Sequence, residues 1–197
     1  MRNWATRAVG ELAHRRDEIN ALNVFPVPDS DTGSNMAHTM EAAVAELDNG
    51  GDVADSLALG AVRGARGNSG MVLSQVLRGV AESTVDSVID GDVFVRSLKQ
   101  AVELVDRAIA EPVEGTVITV LKAASESAED AAAQSGATLH SIVSAAIAAA
   151  ETALERTPSQ LPALREAGVV DAGGAGLVIL LESLLAEIEG STGHTGL

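Results

Sequence analysis

The sequence predicts an all-α fold, an antiparallel up-and-down barrel or bundle of about eight helices. Three observations predict it. Hydrophobic residues make up 46% of the 197 but aromatics only 2%, so the core is built from Ala, Val, Leu and Ile, which suits close helix packing. Apolar residues recur at helical spacing, and period-two alternation is absent. Connections are short, which makes consecutive helices antiparallel neighbours. A chain of 197 residues fits one domain with a substantial core. The domain is expected over 1–190, with a Gly/Thr-rich, flexible tail over 191–197.

The first helix is expected from residue 2 to about 21, with Trp4, Ala8, Leu12, Ile19 and Leu22 on one face. A loop over 23–34 follows, in which Pro26 and Pro28 push Phe25 and Val27 towards extended geometry. Ser34 or Asn35 opens a second helix to about Leu47, with Met36, Met40, Ala43 and Leu47 as its stripe. A turn at Asn49–Asp52 leads to a third, from about Val53 to Arg63, where Gly60 and Gly64 share one face and permit close backbone approach. Further helices are expected from about Ser69 to Ser83, 92 to 110, Thr116 to Ala133, Leu139 to Arg156, and Ala175 to Ile188. Pro158 to Pro162 reads as a turn, followed by a short helical turn to Ala167. The β-branched cluster at 116–120 admits a strand, but Gly115 before it and an Ala-rich run after it favour a helix.

Formal net charge is −15, which argues against nucleic acid or an anionic membrane as partner. A nucleotide is also an anion and would need metal ions and local donors here. Without Cys, disulfides and thiolate metal sites are excluded. Arg2, Arg7, Glu11 and Arg15 interrupt any leader-like run, and no stretch has the length of a membrane span. A soluble, cytoplasmic protein is the expectation. Lys99 and Lys122 lie in helices away from Gly loops, which excludes a Walker loop. His14, His38, His140 and His194 lack zinc spacing.

The stretch Asn23–Asn35 (NVFPVPDSDTGSN) carries two carboxylates, Asp29 and Asp31. On an extended segment they point to one side, and two loop carboxylates suit Mg²⁺, which keeps water and phosphate oxygens as further ligands. A turn plus a helix N-cap explains the same residues equally well from spacing alone. Asn23 adds a carbonyl if the loop folds back. Thr32, Gly33, Ser34 and Asn35 open a helix and offer N–H groups and a favourable dipole to phosphate, or form an ordinary cap. Gly67-Asn68-Ser69-Gly70 and Gly173-Gly174 after Asp171 repeat the pattern at two more helix starts. In an antiparallel bundle such loops gather at one end and ring one mouth. Arg63 and Arg66 either steer phosphates or compensate a helix dipole.

Leu22–Met36 closely resembles the signature of the nucleotide-binding domain of the bacterial fatty acid kinase A subunit, a member of the family of the dihydroxyacetone kinase L domain (DhaL). Gly64–Gly70, Pro112–Thr116 and Val170–Gly176 resemble that family's later motifs, in the right order. The resemblance implies an eight-helix antiparallel barrel with ATP or ADP at one mouth and its phosphates held by two Mg²⁺ ions. It implies Asp29 and Asp31 as magnesium ligands and hence the catalytic residues. Asn23 falls where the dihydroxyacetone kinase branch has a third Asp. Thr32 to Asn35, Asn68 and Ser69 would contact phosphates, and Thr116, Asp171, Ala172 and Gly173 would lie near base or ribose. Two departures stand out: the family usually has Gly where this chain has Ser30, and the dihydroxyacetone branch has His where it has Thr32. The implied reaction is phosphorylation of a fatty acid carboxylate presented by a separate fatty-acid-binding protein of the DegV type. The alternatives are a glycerone (dihydroxyacetone) kinase-type phosphotransferase and a non-catalytic nucleotide-binding scaffold.

Overall fold

The computed structural model describes residues 1–192, and the side chains of 1–190. Of the tail expected over 191–197, residues 191 and 192 belong to the last helix instead, and 193–197 lie outside the described residues. Ten α-helices follow one another: α1 Arg2–His14, α2 Arg16–Leu22, α3 Thr32–Glu46, α4 Val53–Gly64, α5 Gly67–Ser83, α6 Gly91–Ala108, α7 Val117–Ala132, α8 Leu139–Gln160, α9 Pro162–Ala167 and α10 Ala172–Thr192. A short 3-10 turn, Leu47–Asn49, follows α3. Among the described residues there is no strand, and the 116–120 cluster is helical. Eight helices close a ring in which α3, α4, α5, α6, α7 and α8 pack in sequence order, α8 packs on α10, α10 on α1, and α1 on α3. The short α2 and α9 lie against α3 and α8. The fold is the expected all-α up-and-down ring.

Two buried clusters fill it. One joins α1 to α5 around Trp4, Leu12, Ile19, Met40, Leu57, Leu73 and Leu77. The other joins α5 to α8 around Phe94, Leu98, Val105, Leu121, Val143 and Ile147. Helix α10 belongs to both, because Leu177, Val178, Ile179, Leu180 and Leu181 are all buried in succession. Five consecutive buried residues exceed one helical turn, so the helix is covered all round at 177–181. Its small N-terminal residues allow that: a Cβ on Gly176 would collide with the Met36 side chain.

Helix boundaries differ from the sequence expectation in ways that matter for the site. The first predicted helix is kinked at Arg15 (φ −97°, ψ 11°) into α1 and α2, where Arg15 pairs with Glu18 at 2.9 Å and Glu182 at 3.7 Å. Helix α3 starts two residues early, since side chains at the end of α2 cap it. Helix α8 runs past Arg156 and through Pro158. Pro158 has no N–H for the carbonyl of Leu154, and the Thr157 hydroxyl donates to that carbonyl instead (2.7 Å). Helix α10 begins at Ala172 because Asp171 caps it, its Oδ2 accepting from the Gly174 N–H at 2.7 Å.

Candidate nucleotide cleft

The first turns of α3, α5, α7 and α10 meet at one end of the ring, as the loop pattern predicts. Between them lies a cleft of about 360 Å³. Thr32, Asn68, Ser69, Thr116, Asp171 and Gly173, each a candidate from the sequence, line it. Gly33, Ser34, Asn35 and Ala172 do not. Asp29 and Asp31 lie on the rim loop whose two ends, at Pro26 and Thr32, both line the cleft.

Asn20 of α2 and Asn23, the residue that follows the helix, build that loop. Asn23 is 5% exposed, and its Oδ1 accepts from the N–H of Asp31 (3.1 Å), the N–H of Thr32 (3.0 Å) and the Thr32 hydroxyl (2.7 Å). Its Nδ2 donates to the Val27 carbonyl at 2.9 Å. Asn20 Oδ1 accepts from the Ser34 N–H at 3.0 Å, while Asn20 Nδ2 donates to Ser34 Oγ at 3.0 Å. The backbone of α3 sits so close to α2 that a Cβ on Gly33 would strike the Arg16 carbonyl oxygen. Two N–H groups expected to be open to phosphate, those of Thr32 and Ser34, are therefore taken. Asn23 has its carbonyl oxygen filled by three donors and is the internal clamp of the loop.

The clamp frees the aspartates. Asp31 holds the N-cap position of α3 but makes no capping hydrogen bond with its side chain. Neither Asp29 nor Asp31 has a side-chain hydrogen bond or ion pair among the described residues. Among those residues no three His, Cys, Asp or Glu converge on one point. Two uncommitted carboxylates nevertheless fit a magnesium ion, which is commonly bound by one or two carboxylates with phosphate and water completing the shell. Between them Ser30 has φ 54°, the left-handed region that Gly enters freely and Ser does not. The Phe25–Pro26 peptide is cis.

The open amides are at the start of α5 and, beyond Val117, whose N–H is given to Asp171, in the first turn of α7. Helix α5 has no side-chain cap, so the N–H groups of Gly67, Asn68 and Ser69 are left without an intrahelical acceptor. Gly67 is at φ +62°, and a Cβ there would lie 2.6 Å from Asn35 Nδ2. The Ser69 hydroxyl donates to the Thr32 carbonyl at 3.5 Å and joins α5 to α3. Helix α7 also lacks a side-chain cap. The Thr116 hydroxyl donates to the Val113 carbonyl at 2.7 Å instead.

Asp171 forms the floor. It is 6% exposed, and burial pushes its carboxyl up to about 6, against the pull of the Gly174 and Val117 N–H groups. Its own N–H donates to Thr157 Oγ1 at 3.1 Å. One residue thus ties α7, α8 and α10 together. The sequence reading missed the apolar walls, Phe25, Pro26, Met71, Val72, Ile109, Val113 and Ile118. The signal was present in Ile109–Val113, where apolar residues run from the end of an expected helix into the Pro112–Thr116 motif. His38 is half-buried on α3 and is not part of the lining. Arg63, in the last turn of α4, pairs with Glu46 at 3.3 Å and does not line the cleft.

Fold and cleft define a helical-ring domain with a cleft at one mouth. Residues 26–186 match the DAK2 domain, and the chain belongs to that family. Protein YloV of Bacillus subtilis (strain 168) is 40% identical over 187 residues, covering 92% of this chain and 34% of that protein. An uncharacterized protein of Staphylococcus saprophyticus is 38% identical over 187 residues, again 92% of this chain and 34% of its own. The chain thus spans about a third of the length of these relatives. Among solved structures, the dihydroxyacetone kinase from C. freundii in complex with AMP-PNP and Mg²⁺ superposes with a TM-score of 0.66 at 20% identity, over 94% of this chain and 33% of that one. Its native form gives 0.68 at the same identity. These likenesses show the fold. No helix among the described residues is long and apolar enough to cross a membrane.

Proposed function

We propose that the cleft binds ATP with Mg²⁺, and that the domain serves a kinase that phosphorylates a fatty acid carboxylate held by a separate DegV-type fatty-acid-binding protein. One observation carries the reading: the uncapped starts of α5 and α7 open into a cleft on whose rim Asp29 and Asp31 stand uncommitted. In this reading the phosphates lie along Asn68 and Ser69, past Thr32, whose donors are held by Asn23, and the base lies against the apolar wall of Phe25, Met71, Val72 and Ile109. Asp29 and Asp31 hold the metal, and Asn23 and Asn20 hold the loop that presents them. Among the described residues the lining contains no Lys or Arg. Bound Mg²⁺ supplies the neutralisation of phosphate charge.

The acceptor chemistry then needs little from the protein beyond placement. A carboxylate is ionised at neutral pH and has no proton to lose before it attacks. Its oxygen forms a bond to the γ-phosphorus, the bond to the β–γ bridging oxygen breaks, and ADP leaves with that electron pair. The products are acyl phosphate and ADP. The amides of α5 and α7 stabilise charge on the phosphoryl oxygens without reorganising.

A dihydroxyacetone-type acceptor is the second reading, favoured by the structural likeness to that kinase; Thr32 in place of that branch's His weighs against it. MgATP at about a hundred times its Kd is expected to raise the melting midpoint by roughly 5–10 °C. With EDTA, or in Asp31→Ala, most of that shift disappears. An equal shift with EDTA removes the metal from the site. Formation of acyl phosphate on adding a fatty-acid-loaded partner separates the two acceptors; dihydroxyacetone phosphate in its place supports the second.

A further inference from the structure

Within the cleft lining, only Glu111 and Asp171 carry charge. Asp171 is buried and bonded to Gly174. Glu111 is exposed, follows the end of α6, and has no hydrogen bond or ion pair among the described residues. An uncommitted carboxylate at a polyanion's site repels phosphate, so it has to face a part of the ligand that carries hydrogen-bond donors. It is not a third metal carboxylate, since no three acidic groups converge among the described residues.

A nucleotide offers two kinds of donor. An adenine amino group can give one N–H to a carboxylate oxygen. The ribose 2′- and 3′-hydroxyls form a vicinal pair whose two O–H groups match the two oxygens of one carboxylate, and acidic side chains bind the ribose 2′-OH in other nucleotide sites. Glu111 stands between Ile109 and Val113 of the apolar wall, on the loop leading to Thr116 at the start of α7. That is the passage from the base-binding wall to the phosphate-binding helix starts, where the sugar belongs. We propose that Glu111 binds the ribose diol and makes the cleft selective for ribonucleotides over 2′-deoxyribonucleotides. The proposal rests on the nucleotide reading above.

The test is equilibrium binding of MgATP, Mg-2′-dATP and MgITP to the chain and to Glu111→Ala and Glu111→Gln. The unsubstituted chain is expected to bind ATP about tenfold or more tightly than 2′-dATP, the value of a hydrogen bond to a charged group. Glu111→Ala makes ATP and 2′-dATP bind alike: ATP loses both hydroxyl contacts and 2′-dATP the one to its remaining 3′-hydroxyl, while an unchanged melting midpoint of the nucleotide-free variant shows that it is folded. Glu111→Gln, with one acceptor oxygen left, falls between. Equal binding of ATP and 2′-dATP by the unsubstituted chain, or discrimination retained in Glu111→Ala, overturns the proposal. If Glu111→Ala loses only its preference for ATP over ITP, the carboxylate reads the base amino group and the ribose assignment is wrong. If none of the three nucleotides binds, the nucleotide reading itself fails.

Discussion

Folding takes up a proton at Asp171. Burial moves its carboxyl from 3.8 in the unfolded chain to about 6 in the fold, so the folded state holds the proton more tightly. The stability this group contributes is greatest below pH 4 and is lost as pH rises through about 6, by something on the order of 3 kcal/mol. Asp171→Asn cannot titrate. Urea denaturation at pH 4.5 and 7.5 is therefore expected to show the variant gaining on the original chain as pH rises; parallel pH profiles would refute the buried-acid account. Ser30 makes a separate prediction. Its left-handed backbone costs roughly 1 kcal/mol, offset in Ser30→Gly by about 0.4–1 kcal/mol of extra freedom in the unfolded chain. Ser30→Gly should leave stability within about 0.5 kcal/mol, while Ser30→Val, β-branched, should lose about 1–2 kcal/mol; urea midpoints of the two variants decide it. The sequence marked Ser30 as anomalous without giving its φ. It marked Asn23 as a candidate ligand because an amide oxygen near two aspartates reads alike as ligand or clamp. Only the three donors on Oδ1 separate the two roles.

Helix existence was readable from apolar spacing, and helix ends were not, because distant residues set them. Asn20 and Asn23 cap α3 from the end of another helix, and Thr157 lets α8 continue through a proline. Neither device has a local pattern. Glycines were readable where they recur at helical spacing. Gly60 and Gly64 do face α3, with Ala42 and Ala43 against them. A lone glycine needs the structure. Gly79 brings α5 onto α6 so tightly that a Cβ would lie 2.7 Å from the Ala101 N and 2.8 Å from the Ser97 carbonyl oxygen, both backbone atoms. Gly10, inside α1, has nothing within 4 Å. Gly79→Ala is expected to cost about 1–3 kcal/mol, and Gly10→Ala to gain roughly 1 kcal/mol from helix propensity. Melting midpoints should move in opposite directions; a Gly79→Ala variant at or above the original midpoint would mean that the two helices are not held as described.

At the scale of the molecule, the ring and its mouth were legible because short connections force alternation, and alternation puts every second helix start at one end. The shape of the cleft was not, since its walls are ordinary aliphatic side chains that any core would use. One consequence of that geometry concerns the empty domain. Four helix starts gathered at one end bring their positive dipole ends together, and like ends repel. The tips of α5 and α7 also lack side-chain caps. Opening of these first turns should therefore need less free energy than opening of the core. Amide hydrogen exchange should be fast at Gly67–Ser69 and at Ile118 and Thr119 in the free domain. MgATP should slow it there by more than at the far end of the same helices.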